Sequence, residues 1–507
     1  MAVDIPLGTH GHWYRRHHLH LTGHDANTHT HVIGVSGSGK SRFLASYYVN
    51  TLMSGGAATL IDPHGDLASL VLSGLIEKGF PREKLVQRGR SVPTVFAALW
   101  HAFPAKKPGG YLRRAVLVYL DLPEAERQGR YMPFNVLSRT SSPHALASNI
   151  KEAFHRAWPA LSGGSAPMFD TLVQDGVKVL ISNGLPLTGL YRLLSDQAFR
   201  DRLLEKEPDP DIVAFFHDQF DRLAVKDQVD QAGAALRRSH LLTFSPVLKY
   251  SLGQTENALD YRALMDAGKS VIVNLALPDP DARRLLGCPL TVSAEQAALS
   301  RADVPPSKRG PSHHLIIDEF SEFTAQSEEA LSRMLSLTRK YGLFLVMAHQ
   351  TWAQASERFQ GALQNCGLEV AFRLGRDDAE TTARQLGRVA PRSVSHRHGE
   401  SGESHGMNEQ WEEQAQHLMD LKPRWAMIRK PLPHLPWPWH LFWHRPTTML
   451  YKVKTPPMPD PEVAPEKVQE MEAYYLRTYF RTQSEAEESL ARMRVAYKPP
   501  PRREELR

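Results

Sequence analysis

The chain has 507 residues, 42% of them hydrophobic, and 61 basic against 55 acidic residues give it a net charge of +6. This length and apolar content exclude a single simple core and predict a globular protein with two or more lobes. The only cysteines, Cys288 and Cys366, exclude a disulfide framework and a zinc–thiolate site, so we expect a cytoplasmic location. No apolar run approaches the ~18 residues of a membrane span, and any recruitment to a membrane is expected to come through a partner.

The chain begins with a polar segment, residues 1–30, that is rich in histidine. The histidine spacing matches no tight ligand pattern, which favours a surface lead-in over a metal site. From residue 31 onward, short apolar runs alternate with longer amphipathic ones, and the runs at 31–36, 57–62 and 115–121 are predicted to be buried strands. We therefore assign residues 31–140 to the first part of an α/β domain with a parallel sheet.

Residues 141–265 show apolar residues at helical spacing and lack a convincing strand, which predicts an all-helical insertion domain. Within it, Arg237 and Arg238 are candidate DNA contacts, although two arginines on a helix more often form a solvated face. Residues 266–430 are assigned to the second part of the α/β domain. Its predicted strands are 270–277, 314–318, 343–348 and 368–374.

The last part of the chain is predicted to be irregular. A polar loop is expected at 391–411, inside the second α/β part, because the segment is rich in Gly, Ser and His. Residues 431–507 are assigned to an arm rich in proline and tryptophan, followed by a charged tail with one helix at 483–494. The arm is expected to follow the protein surface.

The strongest local pattern is a glycine-rich segment that follows the first predicted strand of the α/β domain. Its form, Gly-x4-Gly-Lys-Ser between a strand and a helix-like run, is that of a phosphate-binding loop. In such a loop, backbone N–H groups surround the phosphates, Lys40 reaches the terminal phosphates and the Ser41 hydroxyl holds Mg²⁺. The expected cofactors are ATP and Mg²⁺. The predicted nucleotide-binding residues are Gly34, Ser36, Gly37, Ser38, Gly39, Lys40 and Ser41.

A second pattern is the apolar run Leu-Ile-Ile at 315–317, which ends in Asp318 and Glu319. At a strand end, Asp318 is placed to help bind Mg²⁺, and Glu319 is placed to act as the general base on the attacking water. Alone, two acids after a strand more often cap a helix. Together with the phosphate-binding loop they indicate a nucleotide hydrolase, because the ends of parallel strands share one crevice.

Two further residues are candidates for hydrolysis. Gln350 follows the predicted strand at 343–348, where an amide can sense the terminal phosphate or align the water. Arg339 precedes the same strand, and two interpretations stay open for it. It is either a charge at a helix end that interacts with the helix dipole, or an arginine finger offered to the nucleotide of a neighbouring subunit.

The order of the motifs resembles that of the HerA/FtsK superfamily, and most closely the cytosolic ATPase part of conjugative type IV secretion coupling proteins of the TraD/TraG kind. Besides the motifs above, the resemblance rests on Asp-Pro-His-Gly-Asp at 62–66, Pro-Phe-Asn-Val-Leu at 133–137 and Phe-Arg-Leu-Gly at 372–375. It covers roughly residues 28–390. It implies a RecA-like P-loop NTPase fold with a mostly parallel central sheet, an inserted all-α domain and an irregular C-terminal arm.

The resemblance also implies roles for the candidate residues. Lys40 and Ser41 would bind nucleotide and Mg²⁺, Glu319 with Asp318 would carry out hydrolysis, and Gln350 would read the terminal phosphate. Arg339 falls at the position that acts across the subunit boundary in coupling proteins. The implied assembly is a homo-oligomeric ring, a hexamer, with duplex DNA of low sequence specificity in its channel.

The leading prediction is therefore an ATP-driven ring motor that translocates DNA in conjugation-type or HerA-like processing. The basic excess permits a phosphate-backbone partner without requiring one. Because the core motifs begin almost at the N-terminus, we expect the chain to be closer to soluble translocases than to membrane-anchored coupling proteins. Two alternatives stay open, a secretion-system ATPase acting on a protein or pilus substrate and a nucleotide-switched assembly module. A secretion or nuclease partner is not identified by the sequence.

Overall fold

The computed structural model describes residues 4–12, 15–23, 25–77, 117–138, 142–157, 167–386, 407–432 and 448–496. Most of the loop predicted at 391–411, the tryptophan-rich part of the arm and the basic end of the tail lie outside the described residues.

The described residues form thirteen strands, which are β1 (Asp4–His12), β2 (Arg15–Thr22), β3 (Thr30–Ile33), β4 (Ala57–Asp62), β5 (Leu117–Asp121), β6 (Arg130–Tyr131), β7 (Ser270–Asn274), β8 (His313–Ile317), β9 (Leu343–His349), β10 (Leu368–Ala371), β11 (Trp425–Pro431), β12 (Thr448–Lys454) and β13 (Arg481–Thr482).

The α-helices are α1 (Lys40–Met53), α2 (Asp66–Glu77), α3 (Leu122–Arg127), α4 (Pro143–Ala157), α5 (Pro167–Ser182), α6 (Gly189–Ser195), α7 (Gln197–Leu204), α8 (Pro210–Ala214), α9 (Val225–Phe244), α10 (Pro246–Leu252), α11 (Tyr261–Ala267), α12 (Pro280–Ser300), α13 (Ser321–Leu337), α14 (Glu357–Leu363), α15 (Arg376–Leu386), α16 (Met407–Met419), α17 (Pro465–Tyr479) and α18 (Gln483–Ala496). A π-helical turn spans Phe215–Phe220, and short 3₁₀ turns span Arg301–Asp303, Pro306–Lys308, Thr338–Tyr341 and Trp352–Gln354.

An 11-stranded sheet forms the centre of the fold, in the order β2-β1-β12-β11-β10-β3-β9-β8-β4-β7-β5. The part from β10 to β5 is parallel throughout. All of its strands were predicted from apolar runs, and the prediction of an α/β fold with a mostly parallel sheet is confirmed. Helices cross over between these strands, as parallel pairing requires.

The parallel strands are buried on both faces, which explains why their sequences are continuously apolar. Leu315 and Ile317 of β8 pack in one hydrophobic core, whereas Ile316 packs in the other. The first core also holds the helices of the 142–267 region, and the second holds α1 and α2. The sheet therefore separates two helical layers.

The sheet continues through antiparallel strands that the sequence did not predict. β11 pairs with β10, β12 pairs with β11, and the hairpin of β1 and β2 pairs with β12. The polar segment at the N-terminus and the predicted arm thus contribute strands to the same sheet. The buried residues Leu19 and Leu21 in β2 alternate with more exposed neighbours, and Ile5 and Leu7 in β1 lie on either side of the half-buried Pro6.

The described residues between 142 and 267 form helices and turns, apart from an isolated bridge between Asn257 and Phe134. Within this region the prediction of a surface position for Arg238 is wrong. Arg238 is 1% exposed, and its guanidinium lies 4.2 Å from the ring centroid of Phe169. The side chain is buried because α9 packs against α5 on this face, and only Arg237 of the pair is exposed. Among the described residues, no helix is long and apolar enough to cross a membrane.

Candidate functional site

The phosphate-binding loop lies at the carboxyl end of β3, the central strand of the 11-stranded sheet. β3 is flanked by β9 on one side and β10 on the other, and both neighbours hold the loop. The Gly34 N–H donates to the His349 carbonyl over 3.3 Å, and the Val35 N–H donates to the Arg373 carbonyl over 2.9 Å. The loop therefore has a fixed position relative to the ends of three strands.

Glycine at position 39 is required by the backbone at the start of α1. Its φ is 113°, a conformation that residues with a Cβ rarely adopt. Gly39 is also the residue before the helix, and no described side chain caps the helix at this point. The first N–H groups of α1 are thus available to an anion, which the helix dipole also favours.

Lys40 lies at the start of α1, where its ammonium group can neutralise a terminal phosphate. It is buried, and its Nζ donates to the Gly34 carbonyl and lies 3.8 Å from Glu319 Oε1. Burial lowers the pKa of Lys40, while Glu319 and Asp318 oppose the shift. An ammonium group held by one carbonyl inside a phosphate-binding loop is suited to exchange that contact for a phosphate oxygen.

Ser41 and Asp318 bring two side-chain oxygens together beside the loop. The Ser41 hydroxyl donates to Asp318 Oδ2 over 3.5 Å. Burial and, to a lesser extent, the nearby carboxylates of Asp62 and Glu319 raise the pKa of Asp318 to about 6, with Lys40 acting in the opposite direction. A buried group of acids with too little positive charge fits a divalent cation, and hard oxygen ligands are those that Mg²⁺ prefers.

Glu319 and Gln350 meet at the ends of neighbouring strands, β8 and β9. Gln350 Nε2 donates to Glu319 Oε1 over 2.9 Å. Glu319 has a φ of 44°, and its backbone N–H donates to Asp318 Oδ1 over 3.1 Å. A non-glycine residue in this left-handed region is strained and is held in place by its surroundings, a condition that occurs often at functional sites.

A buried histidine pair supports the strand end that carries Gln350. His31 Nε2 and His349 Nε2 are 2.7 Å apart, and His349 Nδ1 lies 2.8 Å from the Thr351 carbonyl. Burial lowers the pKa of His349 to about 4 and that of His31 well below its usual value, so both rings are neutral at pH 7. Since a carbonyl only accepts, His349 carries its proton on Nδ1, and His31 donates to it from Nε2.

Arg339 does not reach the other candidate residues within the chain. It is exposed in the 3₁₀ turn Thr338–Tyr341, before β9 begins, whereas Gln350 follows the end of β9. Because the whole of β9 separates them and each strand residue spans ~3.3 Å, these two residues lie at opposite ends of that strand, roughly 20 Å or more apart. Any action of Arg339 on a nucleotide must therefore concern a neighbouring subunit.

Two residues near the loop were not predicted as site residues. Asp62, at the end of β4, accepts the backbone N–H groups of His64 and Ala68 and influences the pKa of Asp318. Arg424 precedes β11, and its N–H donates to the Ser38 carbonyl over 2.9 Å. The Asp-Pro-His-Gly-Asp motif was a signal for Asp62, but a single arginine far along the chain gave none for Arg424.

A family model matches residues 312–422, which include β8, β9 and the acid pair, and its description is the TraM recognition site of TraD and TraG. The match confirms the resemblance to coupling proteins of the TraD/TraG kind that the motif order indicates. No curated protein matches the chain by sequence.

Solved structures with a similar fold include a bacterial conjugative coupling protein, TrwBdeltaN70 in an unbound form, at 13% identity and a TM-score of 0.48, covering 86% of this chain and 87% of that one. The plasmid coupling protein TrwB in complex with ADP and Mg²⁺ is 13% identical, with a TM-score of 0.47 and coverage of 86% and 88%. VirB4 of Thermoanaerobacter pseudethanolicus is also 13% identical, with a TM-score of 0.47 and coverage of 92% and 98%.

Proposed function

We propose that the chain is an ATPase that assembles into a ring and uses hydrolysis to move DNA in conjugation-type transfer. The observation that carries the ATPase assignment is the meeting of the phosphate-binding loop with Glu319 and Gln350 at one edge of the sheet. The Gln350 amide and the buried Lys40 ammonium group both approach Oε1 of Glu319, whose backbone is strained. A structural role alone does not account for this arrangement.

Each residue has a defined task in this proposal. Lys40 would move from the Gly34 carbonyl to the terminal phosphate. Ser41 and Asp318 would hold Mg²⁺, which would neutralise charge on the phosphates. Glu319 accepts the proton of the attacking water, and the Gln350 amide orients that water. The remaining loop residues, Ser36, Gly37 and Ser38, contribute to the turn of the loop around the phosphates.

The ring and its DNA cargo follow from the resemblance to coupling proteins and from the position of Arg339. An exposed arginine at the edge opposite the site fits a finger that completes the nucleotide site of the next subunit, in a hexamer around duplex DNA. The net charge of +6 is compatible with that cargo. The segment 312–422, whose family is described as a recognition site in TraD and TraG, is where we place a protein partner.

The direct test of the ATPase assignment is hydrolysis by the Lys40→Ala variant. Removing the ammonium group should abolish turnover and leave the chain folded, since the loop is held mainly by backbone hydrogen bonds. Lys467→Ala, which alters an exposed lysine on α17, is the matched control and should hydrolyse ATP normally. Normal turnover in purified Lys40→Ala would refute the assignment. ATP binding by the wild type without turnover would indicate a nucleotide-switched assembly module instead.

A further inference from the structure

Arg424 has a strained backbone beside the phosphate-binding loop. Its φ is 68°, and among the described residues only Glu319 shares a positive φ without being a glycine. Both of these residues contact or adjoin the loop, from opposite sides. Such a conformation is maintained where the surrounding contacts require it, and it recurs at ligand-binding positions.

The loop packs directly against the backbone of Arg424. The Arg424 N–H donates to the Ser38 carbonyl over 2.9 Å. A Cβ placed on Gly39 would lie 3.2 Å from the Arg424 nitrogen and 3.3 Å from its Cα, so the two backbones approach closely. The turn that contains Arg424 therefore packs against one side of the phosphate-binding loop.

A second segment, residues 455–460, contacts both Arg424 and the start of α1. The Thr455 N–H donates to the Arg424 carbonyl over 2.9 Å. Further along, the Arg42 guanidinium donates to the Met458 carbonyl over 2.7 Å and to Asp460 Oδ1 over 2.5 Å. These hydrogen bonds connect the start of α1 to the C-terminal part of the chain.

The Arg424 guanidinium has N–H groups that are not used in hydrogen bonds among the described residues. Nη2 donates to the Thr455 carbonyl over 3.2 Å, while the buried Nε has no hydrogen-bond partner among the described residues. The side chain is half-buried, so it is partly ordered yet accessible. A planar cation of this kind stacks on aromatic rings and donates to polar atoms at their edges.

The order of the strands gives the direction in which a nucleotide would extend from the loop. The groups assigned to the water that attacks the terminal phosphate, Glu319 and Gln350, follow β8 and β9, which lie on one side of β3. Arg424 lies on the other side, next to β10 and β11. A nucleotide with its terminal phosphate at Glu319 therefore directs its ribose and base toward Arg424.

We propose that Arg424 and the segment 455–460 bind the nucleoside end of the nucleotide, with the Arg424 guanidinium stacked on the base. The assignment rests on the proposed binding of ATP at the loop and adds the part of the site that recognises more than phosphate. The contacts of Thr455 with Arg424 and of Met458 and Asp460 with Arg42 place the C-terminal part of the chain at this end of the site.

The test compares a nucleotide with a ligand that has only phosphates. Arg424→Gly removes the guanidinium and accepts a positive φ without strain, so the variant should fold, as thermal unfolding will verify. Dissociation constants are measured by calorimetry for Mg²⁺–ATP and for inorganic tripolyphosphate. Arg376→Ala, which alters an exposed arginine paired with Glu380 on α15, is the matched control.

The proposal expects Arg424→Gly to weaken ATP binding by about tenfold or more and to leave tripolyphosphate binding within about twofold, with Arg376→Ala like the wild type. Unchanged ATP affinity in folded Arg424→Gly would overturn the assignment. An equal loss for both ligands would also overturn it, because the arginine would then bind phosphate. Failure of the wild type to bind ATP would instead refute the proposed function itself.

Discussion

Gln350 Nε2 donates a hydrogen bond to Glu319 Oε1 over 2.9 Å, which connects the ends of β9 and β8 across the candidate site. The same carboxylate oxygen lies 3.8 Å from Lys40 Nζ. Residues that follow three adjacent strands, β3, β9 and β8, therefore meet at Oε1 of Glu319. This arrangement allows Glu319 to be oriented by an amide and balanced by a cation before any substrate binds, which is the preorganisation that general-base catalysis requires.

Glu319→Gln should separate ATP binding from ATP cleavage. The amide keeps the shape of the side chain but cannot accept the proton of the water, so hydrolysis should fall by roughly 10²–10⁴-fold. ATP affinity should stay close to that of the wild type. The measurements are single-turnover hydrolysis and calorimetric binding, with Glu322→Gln, in the first turn of α13, as the control. Hydrolysis at the wild-type rate would show that another residue is the base.

Asp318→Asn should stabilise the nucleotide-free protein in a pH-dependent manner. The folded-state pKa of Asp318, about 6, lies above the ~3.9 of an unfolded aspartate, so the folded chain loses stability as pH rises from about 4 to about 6. Above that range the penalty is complete. Asparagine removes it, and the free energy of unfolding at pH 7.5 should increase by about 1–3 kcal/mol.

Urea denaturation at pH 7.5 and pH 4.5 tests this prediction, and the gain should be smaller at the lower pH. Asp230→Asn, at an exposed position of α9, is the control and should change little at either pH. A gain of equal size at both pH values would show that the effect does not come from ionisation of Asp318. No gain at pH 7.5 would show that the carboxylate is not destabilised by its buried neighbours.

Arg339→Ala should leave ATP binding nearly intact and reduce hydrolysis by about 10³-fold or more, the range associated with arginine fingers. Because Arg339 lies at the edge of the sheet opposite Gln350, its effect must be exerted on a neighbouring subunit. Mixing Arg339→Ala with Lys40→Ala protein creates some interfaces with an intact loop and an intact arginine. Partial activity should then return, and Lys340→Ala is the matched single-site control.

Unimpaired hydrolysis by Arg339→Ala alone would reject the finger. Absence of recovery in mixed assemblies, with subunit exchange demonstrated by labelled protein, would favour either a charge at the helix end that interacts with the dipole or a ring too cooperative to tolerate inactive subunits. The two results are distinguishable because the first concerns a single variant and the second requires an interface.

Local sequence patterns predicted the parallel strands and the loop because both depend on short-range chemistry. The run at 57–62 has the bounds of β4, since burial on both faces leaves six consecutive residues with little exposure. The N-terminal hairpin was missed because histidines interrupt it. Its period-2 signal, Leu19 and Leu21 between polar residues, was present but outweighed by overall polarity.

The phosphate-binding residues have a recognisable spacing in the sequence. The residues that hold the loop and the strand ends in place come from distant parts of the chain and have no such spacing. Arg424 has a left-handed backbone that a sequence would more readily assign to glycine or asparagine, and its partner Ser38 lies near the other end of the chain. The His31 and His349 pair is likewise formed only when β3 and β9 become neighbours. Contacts between strands distant in sequence decide such positions, and one sequence does not reveal them.

The central claim, that ATP hydrolysis by this chain drives DNA movement, is tested most directly by steady-state ATP turnover with and without duplex DNA at several salt concentrations. Lys40→Ala provides the background rate. The account predicts that duplex DNA of any sequence increases turnover, and that the increase declines as salt rises because contacts to backbone phosphates release counterions. Turnover that is the same with and without DNA at every salt concentration would contradict the account and favour a protein or pilus substrate.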